Sequence, residues 1–288
     1  MRILIGFDGS EASKAALYDL RYAGISGGSE IRLITVVDSW QQPRSIEDAG
    51  RISQEGTAIL HAQFPLWKLS AEIREGSPPR EILAVAETMK PDLLVLGERE
   101  NIGHGTSFLG QTTQTLLTEA ECSVRIARGK RGCENHNEKI LVGFNGSPTA
   151  LLAVESIVAR KWGEDAEVRL LAVADASVLK YIGRFTPQIS DATIEARFAN
   201  QWAEALAAGA IEKLTAAGLK SSLRVTVGHP AEVITQQAEN WGADSIFVGP
   251  HCSLNSFERF LLGSVSVAVS SRASCSVEVV RTRPTGQD

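Results

Sequence analysis

Two short segments of the sequence contain the residue types of an anion-binding site. Each begins with a glycine and continues with hydroxyl-bearing residues: Gly110-Gln111-Thr112-Thr113 and Gly263-Ser264-Val265-Ser266. Such a segment at the start of a helix can hold a phosphate, because the first N–H groups are unpaired and the helix dipole favours an anion. Glycine and serine are also ordinary helix caps. Taken alone, the segments are therefore compatible with either phosphate binding or capping.

Further candidate residues follow short apolar runs that have the composition of strands. Asp8 and Asn145 end two of these runs, and Gly97 and Gly249 end two others. Ligands of doubly wound sheets bind at the carboxyl ends of the strands, near the point where the strand order switches. We therefore expect these residues to surround one site in each half of the chain.

The two halves of the sequence are copies of one pattern. The segment Ile3-Leu4-Ile5-Gly6-Phe7-Asp8-Gly9-Ser10 recurs 137 residues later as Ile140-Leu141-Val142-Gly143-Phe144-Asn145-Gly146-Ser147. Cys122-Ser123-Val124 also recurs, as Cys275-Ser276-Val277, and the wider offset leaves about 15 extra residues after the second strand of the second copy. A repeat of this length indicates a tandem pair of similar domains.

Each copy alternates β-rich runs with longer stretches of helical periodicity, which is typical of a parallel sheet. We expect two flavodoxin-like α/β domains at residues 1–128 and 138–283, joined by a linker at 129–137. Each should hold five parallel strands in the order 3-2-1-4-5 with helices on both faces. Ser10 and Ser147 should cap the first helix of their copies, the first helix extending to Tyr22.

Composition excludes several classes of protein. The chain has 288 residues, 43% of them hydrophobic, and a formal net charge of -5. Neither half is basic, which argues against nucleic-acid binding. No run approaches the length of a membrane span, and the amino terminus lacks the pattern of a signal peptide. We expect a cytoplasmic protein with its four cysteines reduced.

Other catalytic and metal-binding families fit the motifs poorly. The haloacid dehalogenase phosphatases need D-x-D, but Asp8 is followed by Gly9-Ser10. A receiver domain needs an aspartate where Gly97 stands, and no P-loop motif is present. His229, His251 and Cys252 have no recognised zinc spacing, so we expect no metal site.

At these residues the chain resembles the universal stress protein family in its tandem form. The resemblance rests on the Asp/Asn-Gly-Ser at Asp8 and Asn145, the Gly-x-Pro after each third strand, the strand-end glycines and the repeated Cys-Ser-Val. It implies the adenine nucleotide alpha hydrolase-like form of the fold, a stress-response regulatory or adaptor role without established catalysis, and ATP or AMP with Mg as ligand. The implied nucleotide-binding residues are Asp8, Val36, Gly97, Gly110, Thr112 and Thr113 in the first copy, and Asn145, Val173, Gly249, Gly263, Ser264, Val265 and Ser266 in the second.

Both copies depart from the ATP-binding pattern of that family, G-x-x-G followed at an interval by G-[ST]. Glu100 replaces a loop glycine in the first copy, where it would repel a phosphate, and Gln111 replaces the hydroxyl residue. In the second copy Cys252 replaces a glycine, and Asn145 stands where Asp is expected. Two hypotheses follow: a regulator with weak, degenerate nucleotide binding, or a nucleotide-free interaction protein that kept the fold.

The last strands of the copies are expected to join the domains. Family members commonly dimerise through these strands, and here antiparallel pairing within the chain would place Arg125 opposite Glu278. A cross-strand ion pair of this kind would contribute about 0.2–1 kcal/mol, and it would favour pairing within the chain over pairing of identical copies. A homodimer of the whole chain and unidentified protein partners remain open.

Overall fold

The computed structural model describes residues 1–38, 46–98, 109–128, 137–174, 192–250 and 263–282. For residues 192–200 and Trp202 it describes the backbone alone. All statements below concern these parts of the chain.

The first half contains the expected alternation of strands and helices. Its strands are β1 (Arg2–Gly6), β2 (Glu30–Val37), β3 (Lys68–Glu75), β4 (Leu93–Gly97) and β5 (Ser123–Ala127). Its helices are α1 (Glu11–Asp19), α2 (Ile46–Gln63), α3 (Pro78–Met89) and α4 (Gln111–Glu119). The first helix was predicted to extend to Tyr22, but its last three residues, Leu20–Tyr22, form a 3-10 turn.

The second half repeats this order with a longer second helix. Its strands are β6 (Lys139–Gly143), β7 (Glu167–Ala174), β8 (Lys220–Val227), β9 (Ser245–Val248) and β10 (Ser276–Val279). Its helices are α5 (Pro148–Val158), α6 (Ala192–Ala216), α7 (Pro230–Trp241) and α8 (Ser264–Arg272). Helix α6 has 25 residues where α2 has 18, so it takes up part of the extra length of this copy.

The strands form one sheet of ten, in the order β3-β2-β1-β4-β5-β10-β9-β6-β7-β8. Within each half the neighbouring strands are parallel and follow the predicted order 3-2-1-4-5. The halves meet where β5 and β10 pair antiparallel, with Arg125 opposite Glu278. The expected pairing of the last strands is therefore present, and the described strands of the two halves do not interleave.

The two faces of the sheet are packed differently. On one face, α3, α4, α7 and α8 cover a single apolar core that continues across both halves through Leu94, Val124, Val277 and Ile246. On the other face each half has a separate core, one beneath α1 and α2 and one beneath α5 and α6. The continuous core contains only apolar strand residues at the junction, whereas the opposite face places charged residues there.

Four buried charged side chains meet at this junction. Arg125 Nε donates to Asp19 Oδ2 at 2.7 Å, and Arg125 Nη1 lies 3.7 Å from Glu278 Oε2. Glu278 also accepts a hydrogen bond of 2.9 Å from Arg160 Nη1. Each of these side chains is at most 4% exposed. Burial lowers the pKa of Arg125, but the charges of Asp19 and Glu278 outweigh it, so its net pKa is raised.

The predicted Arg125–Glu278 pair lies in a buried network, so the value of about 0.2–1 kcal/mol for an ordinary cross-strand pair is too small for it. Both side chains are 0% exposed, because the ends of α1 and α5 cover the two central strands and bring Asp19 and Arg160 to them. In a buried network, removing one partner costs about 3–5 kcal/mol, since the remaining charge stays buried without its counter-ion. Loss of one of these side chains should therefore destabilise the interface more than loss of one member of an exposed pair would.

A second pair of arginines shows that the halves are related by an approximate twofold axis. Arg128 Nη2 donates to the Ser270 carbonyl at the end of α8, at 2.5 Å. Arg281 Nη2 makes the equivalent bond to the Leu117 carbonyl in α4, also at 2.5 Å. Each arginine thus reaches the last turn of a helix in the opposite half, where a cation is favoured by the helix dipole. The approximate symmetry is lost at the central pair, which has opposite charges.

Two features bear on redox state and membrane contact. Cys122 and Cys275 are buried, whereas Cys133 and Cys252 lie outside the described residues. Among the described helices none is long and apolar enough to cross a membrane.

Candidate functional site

A cleft opens at the carboxyl end of the strands in each half. The first cleft has a volume of about 470 Å³ and is bounded by the ends of β1, β2 and β4 and the first turns of α1, α3 and α4. The second cleft, of about 310 Å³, is bounded by the corresponding elements β6, β7, β9, α5, α7 and α8. The repeat in the sequence thus produces two clefts built from the same elements.

The structure brings almost all of the predicted site residues to these clefts. The first cleft is lined by Asp8, Val36, Gly97, Thr112 and Thr113. The second is lined by Asn145, Val173, Gly249, Gly263, Ser264, Val265 and Ser266. Gly110 does not line the first cleft and instead is the N-cap residue of α4. Their role in binding a nucleotide stays a prediction.

Asp8 and Asn145 form the same turn before the first helix of their halves. Asp8 Oδ1 accepts a hydrogen bond from the backbone N–H of Ser10 at 2.9 Å, and Asn145 Oδ1 accepts one from Ser147 at 3.1 Å. In each turn the residue between the acceptor and the serine is a glycine with positive φ, Gly9 in the first half and Gly146 in the second. Because an amide oxygen accepts this bond as a carboxylate does, replacement of Asp by Asn preserves the turn and removes a charge from the cleft.

The strand-end glycines allow close packing of strand against helix. A Cβ atom on Gly97 would lie 2.3 Å from the Ala12 carbonyl oxygen of α1. On Gly249 it would lie 2.8 Å from Thr149 Cβ of α5. The missing side chain is therefore required by the packing of the helix that begins at the cleft, whether or not a ligand binds there.

The first turn of α4 has a carboxylate beside it. Glu98 Oε2 accepts a hydrogen bond of 3.3 Å from the backbone N–H of Gly110, the N-cap of α4. The negative charge of Glu98 thus lies at the positive end of the helix dipole, which is where an anionic ligand would bind. Sequence reasoning assigned this repulsive role to Glu100, which lies outside the described residues.

The first turn of α8 makes the corresponding contact through the backbone. The N–H of Gly263 donates to the carbonyl of Pro250, at 2.5 Å, and Ser266 Oγ donates to the carbonyl of Gly249, at 2.6 Å. Pro250 occupies the position of Glu98 in the repeat, one residue after the strand-end glycine. The same N–H group is therefore paired in both halves, with a charged acceptor in the first and a neutral one in the second.

The comparison with known proteins agrees with this architecture. The model of the universal stress protein family matches residues 1–128 and again residues 136–281. The chain belongs to the universal stress protein family. A Staphylococcus epidermidis protein whose name places it in the same family is 31% identical over 153 residues, which are 52% of this chain and 88% of that protein. One relative of ordinary length thus corresponds to about half of this tandem universal stress protein.

Solved structures show the same fold over the whole chain. A universal stress protein from Archaeoglobus fulgidus has a TM-score of 0.64 at 18% identity, covering 99% of this chain and 97% of its own. A functionally unknown protein from Pseudomonas aeruginosa has a TM-score of 0.64 at 17% identity, covering 98% of this chain and 92% of its own. At this level of identity the likeness establishes the fold and not the ligand.

The clefts of this tandem universal stress protein contain residues that sequence reasoning did not assign to a site. They include Ser10, Ser13, Pro78 and Ile82 in the first cleft, and Ser147, Thr149, Pro230 and Ile234 in the second. Pro78 and Pro230 belong to the repeated Gly-x-Pro, so their equal spacing was an available signal. Glu100, His251 and Cys252 lie outside the described residues, so their effects on a ligand stay predictions.

The two clefts differ in charge. Asp8 and Asp38 line the first, and Glu98 stands beside it at α4. The described lining of the second cleft contains no charged side chain. Among the described residues no group of three histidine, cysteine or acidic side chains is arranged to hold a metal ion.

Proposed function

We propose that this tandem universal stress protein is a stress-response regulatory module that binds an adenine nucleotide weakly, in its second cleft. The proposed ligand is ATP or AMP with Mg, and the bound nucleotide alters the affinity for a protein partner. The proposed units are residues 1–128 and 138–283, joined by the segment 129–137, and they act in the cytoplasm.

The observation that supports the second cleft is its neutral lining at the start of a helix. Gly263, Ser264 and Ser266 begin α8 at the cleft, and Ser264 is exposed there. A helix start favours a phosphate through its N–H groups and its dipole. Val173 and Ile234 also line the cleft and supply apolar surface, which suits a base. A nucleotide would thus find an apolar wall and a phosphate position in one cavity.

The alternative is an interaction protein that kept the fold and binds no nucleotide. The observation that favours it is the volume of the second cleft, about 310 Å³, at the small end of the range for ligand pockets. Neither copy has the complete glycine loop of the ATP-binding family members. Under this alternative the clefts are by-products of the fold, and binding of the partner is independent of nucleotide.

The experiment is a calorimetric titration of the full chain with ATP and Mg, preceded by mass spectrometry of any ligand released from freshly purified protein. We expect about one ATP per chain. The variant Ser264→Asp puts a carboxylate at the start of α8, where the helix tolerates it, and should weaken ATP binding about 10-fold or more through charge repulsion.

The matched control is Gln111→Asp, since Gln111 is the first residue of α4 and Ser264 is the first residue of α8. This variant should leave the affinity for ATP unchanged, because the nucleotide is proposed to bind in the other half. Absence of any ATP binding to the wild-type chain would favour the nucleotide-free alternative. Equal weakening by both variants would contradict assignment to the second cleft.

A further inference from the structure

Two acidic side chains line the first cleft, and a third lies beside it. Asp8 and Asp38 lie at the ends of β1 and β2, and Glu98 lies at the start of α4. In the second half the residues corresponding to Asp8 and Glu98 are Asn145 and Pro250, both uncharged, whereas Asp38 corresponds to Asp175, which lies outside the described residues. The two clefts therefore differ in charge at the end of the first strand, where a base or sugar is proposed to bind, and at the start of the last helix, where a phosphate is proposed to bind.

Glu98 is placed where it opposes an anion directly. Its carboxylate accepts the N–H of Gly110, the N-cap of the helix whose next residues, Thr112 and Thr113, line the cleft. A phosphate at this helix start would have to displace the carboxylate or lie against it, and two like charges a few ångströms apart repel each other. The helix dipole is at the same time neutralised by Glu98.

The remainder of the first cleft keeps the features that suit an uncharged ligand. Ile34, Val36 and Ile82 form an apolar wall, and the carboxylates of Asp8 and Asp38 can accept hydrogen bonds from hydroxyl or amino groups. The volume of about 470 Å³ exceeds that of the second cleft. Apolar surface with a few polar groups that fix orientation is the usual composition of a small-molecule site.

We propose that the first cleft binds a nucleoside without phosphate, and that Glu98 is the residue that excludes the phosphorylated form. This inference rests on the proposed function, because the pseudo-symmetry of the clefts is what assigns a base and sugar to the first one. One chain then holds a nucleotide in its second cleft and a nucleoside in its first. The protein would respond to the phosphorylated and dephosphorylated ligands through separate sites.

The test uses the full chain and compares the stoichiometry of ATP with that of adenosine by calorimetry. For the wild-type chain we expect about one ATP, and one further adenosine when the second cleft is saturated with ATP. Glu98→Gln removes the charge with little change in shape, and Asp8→Asn copies the Asn145 turn of the second half, so both variants should fold. With both substitutions, ATP should bind in the first cleft at least about 10-fold more tightly than it does in the first cleft of the wild-type chain.

Glu119→Gln is the matched control, since it removes one charge from the other end of α4. It should change neither stoichiometry. Two equal ATP sites in the wild-type chain, failure of Glu98→Gln to improve ATP binding, or absence of an adenosine site in the ATP-saturated chain would each overturn the inference. Adenosine binding at one site with no ATP binding anywhere would support this inference and end the proposed function, so the two failures are distinguishable.

Discussion

The two halves of the molecule have nearly the same backbone and different charges. Both begin a helix after a serine cap, both use a glycine where strand and helix touch, and both open a cleft at the same strand ends. The charges differ where function would be decided, with carboxylates at the first cleft and none in the described lining of the second. The residues that the fold requires, the serine caps and the strand-end glycines, are therefore the same in both halves, whereas the charged residues at the clefts differ.

The interface shows the same division. The outer contacts of Arg128 and Arg281 are equivalent across the approximate twofold axis. At the centre, Arg125 has its counter-charge in Asp19 of its own half, and Glu278 has its own in Arg160. Each half thus supplies one pair of opposite charges. When the first half meets the second, Arg125 of one pair lies against Glu278 of the other. Pairing of two identical halves would set Arg125 against itself or Glu278 against itself.

The largest effect should come from breaking the central network. Arg125→Leu leaves Asp19 and Glu278 buried without the cation between them, so we expect the free energy of unfolding to fall by about 3–5 kcal/mol. Denaturation in urea measures this loss. Lys213→Met breaks a half-exposed pair with Glu155 and should cost less than about 1 kcal/mol. Equal losses in the two variants would refute the importance of the buried network.

The strand-end glycines should show a graded difference between the halves. Gly97→Ala brings a Cβ against a backbone carbonyl at 2.3 Å, and Gly249→Ala brings one against a side chain at 2.8 Å. Overpacking of this kind costs about 1–3 kcal/mol, and we expect Gly97→Ala at the upper end of that range and Gly249→Ala at the lower. Thermal unfolding with Gly27→Ala as control compares them, since a Cβ there meets nothing within 4 Å. The reverse order would contradict the measured separations.

The helix caps should affect both halves alike. Ser10 Oγ accepts from the N–H of Ser13 at 3.2 Å, and Ser147 Oγ accepts from that of Ala150 at 3.2 Å. Ser10→Ala and Ser147→Ala should each lower the free energy of unfolding by about 1 kcal/mol. Ser274→Ala, at an exposed serine before β10, should have no measurable effect. A loss confined to one half would show that the two turns are not energetically equivalent.

The smallest effects should come from two lysines, Lys14, which is partly buried, and Lys220, which is exposed, and they should depend on pH. The hydrogen bond to Glu55 raises the pKa of Lys14 above its ordinary 10.5, and the bond to Asp165 does the same for Lys220. Stability gained in this way is present below pH 10.5 and is lost as pH rises through the raised pKa. Lys14→Met and Lys220→Met should therefore lower the urea midpoint slightly at neutral pH and leave it unchanged at high pH. Lys68→Met is the control, and a difference that grows with pH would contradict the sign.

Much of the architecture follows from local sequence. The 137-residue repeat, the β-rich runs and the serine caps predict both domains, the strand order and the two clefts, because periodicity and capping involve residues close together in the chain. The pairing of the last strands was predicted from the family resemblance, and the structure shows it, with β5 and β10 antiparallel. The same local patterns placed Asp8, Asn145 and the strand-end glycines at the strand ends, where they line the two clefts.

Tertiary structure alone decided which charges meet. Asp19 contacts Arg125 across 106 positions of sequence, and Arg160 contacts Glu278 across 118. Neither Asp19 nor Arg160 belongs to any motif, and their burial depends on how α1 and α5 cross the two central strands. Glu98 reaches the start of α4 from the end of β4, so its role depends on the path of the loop between them. Charges act through space, and a linear pattern does not specify the distances that give each charge its effect.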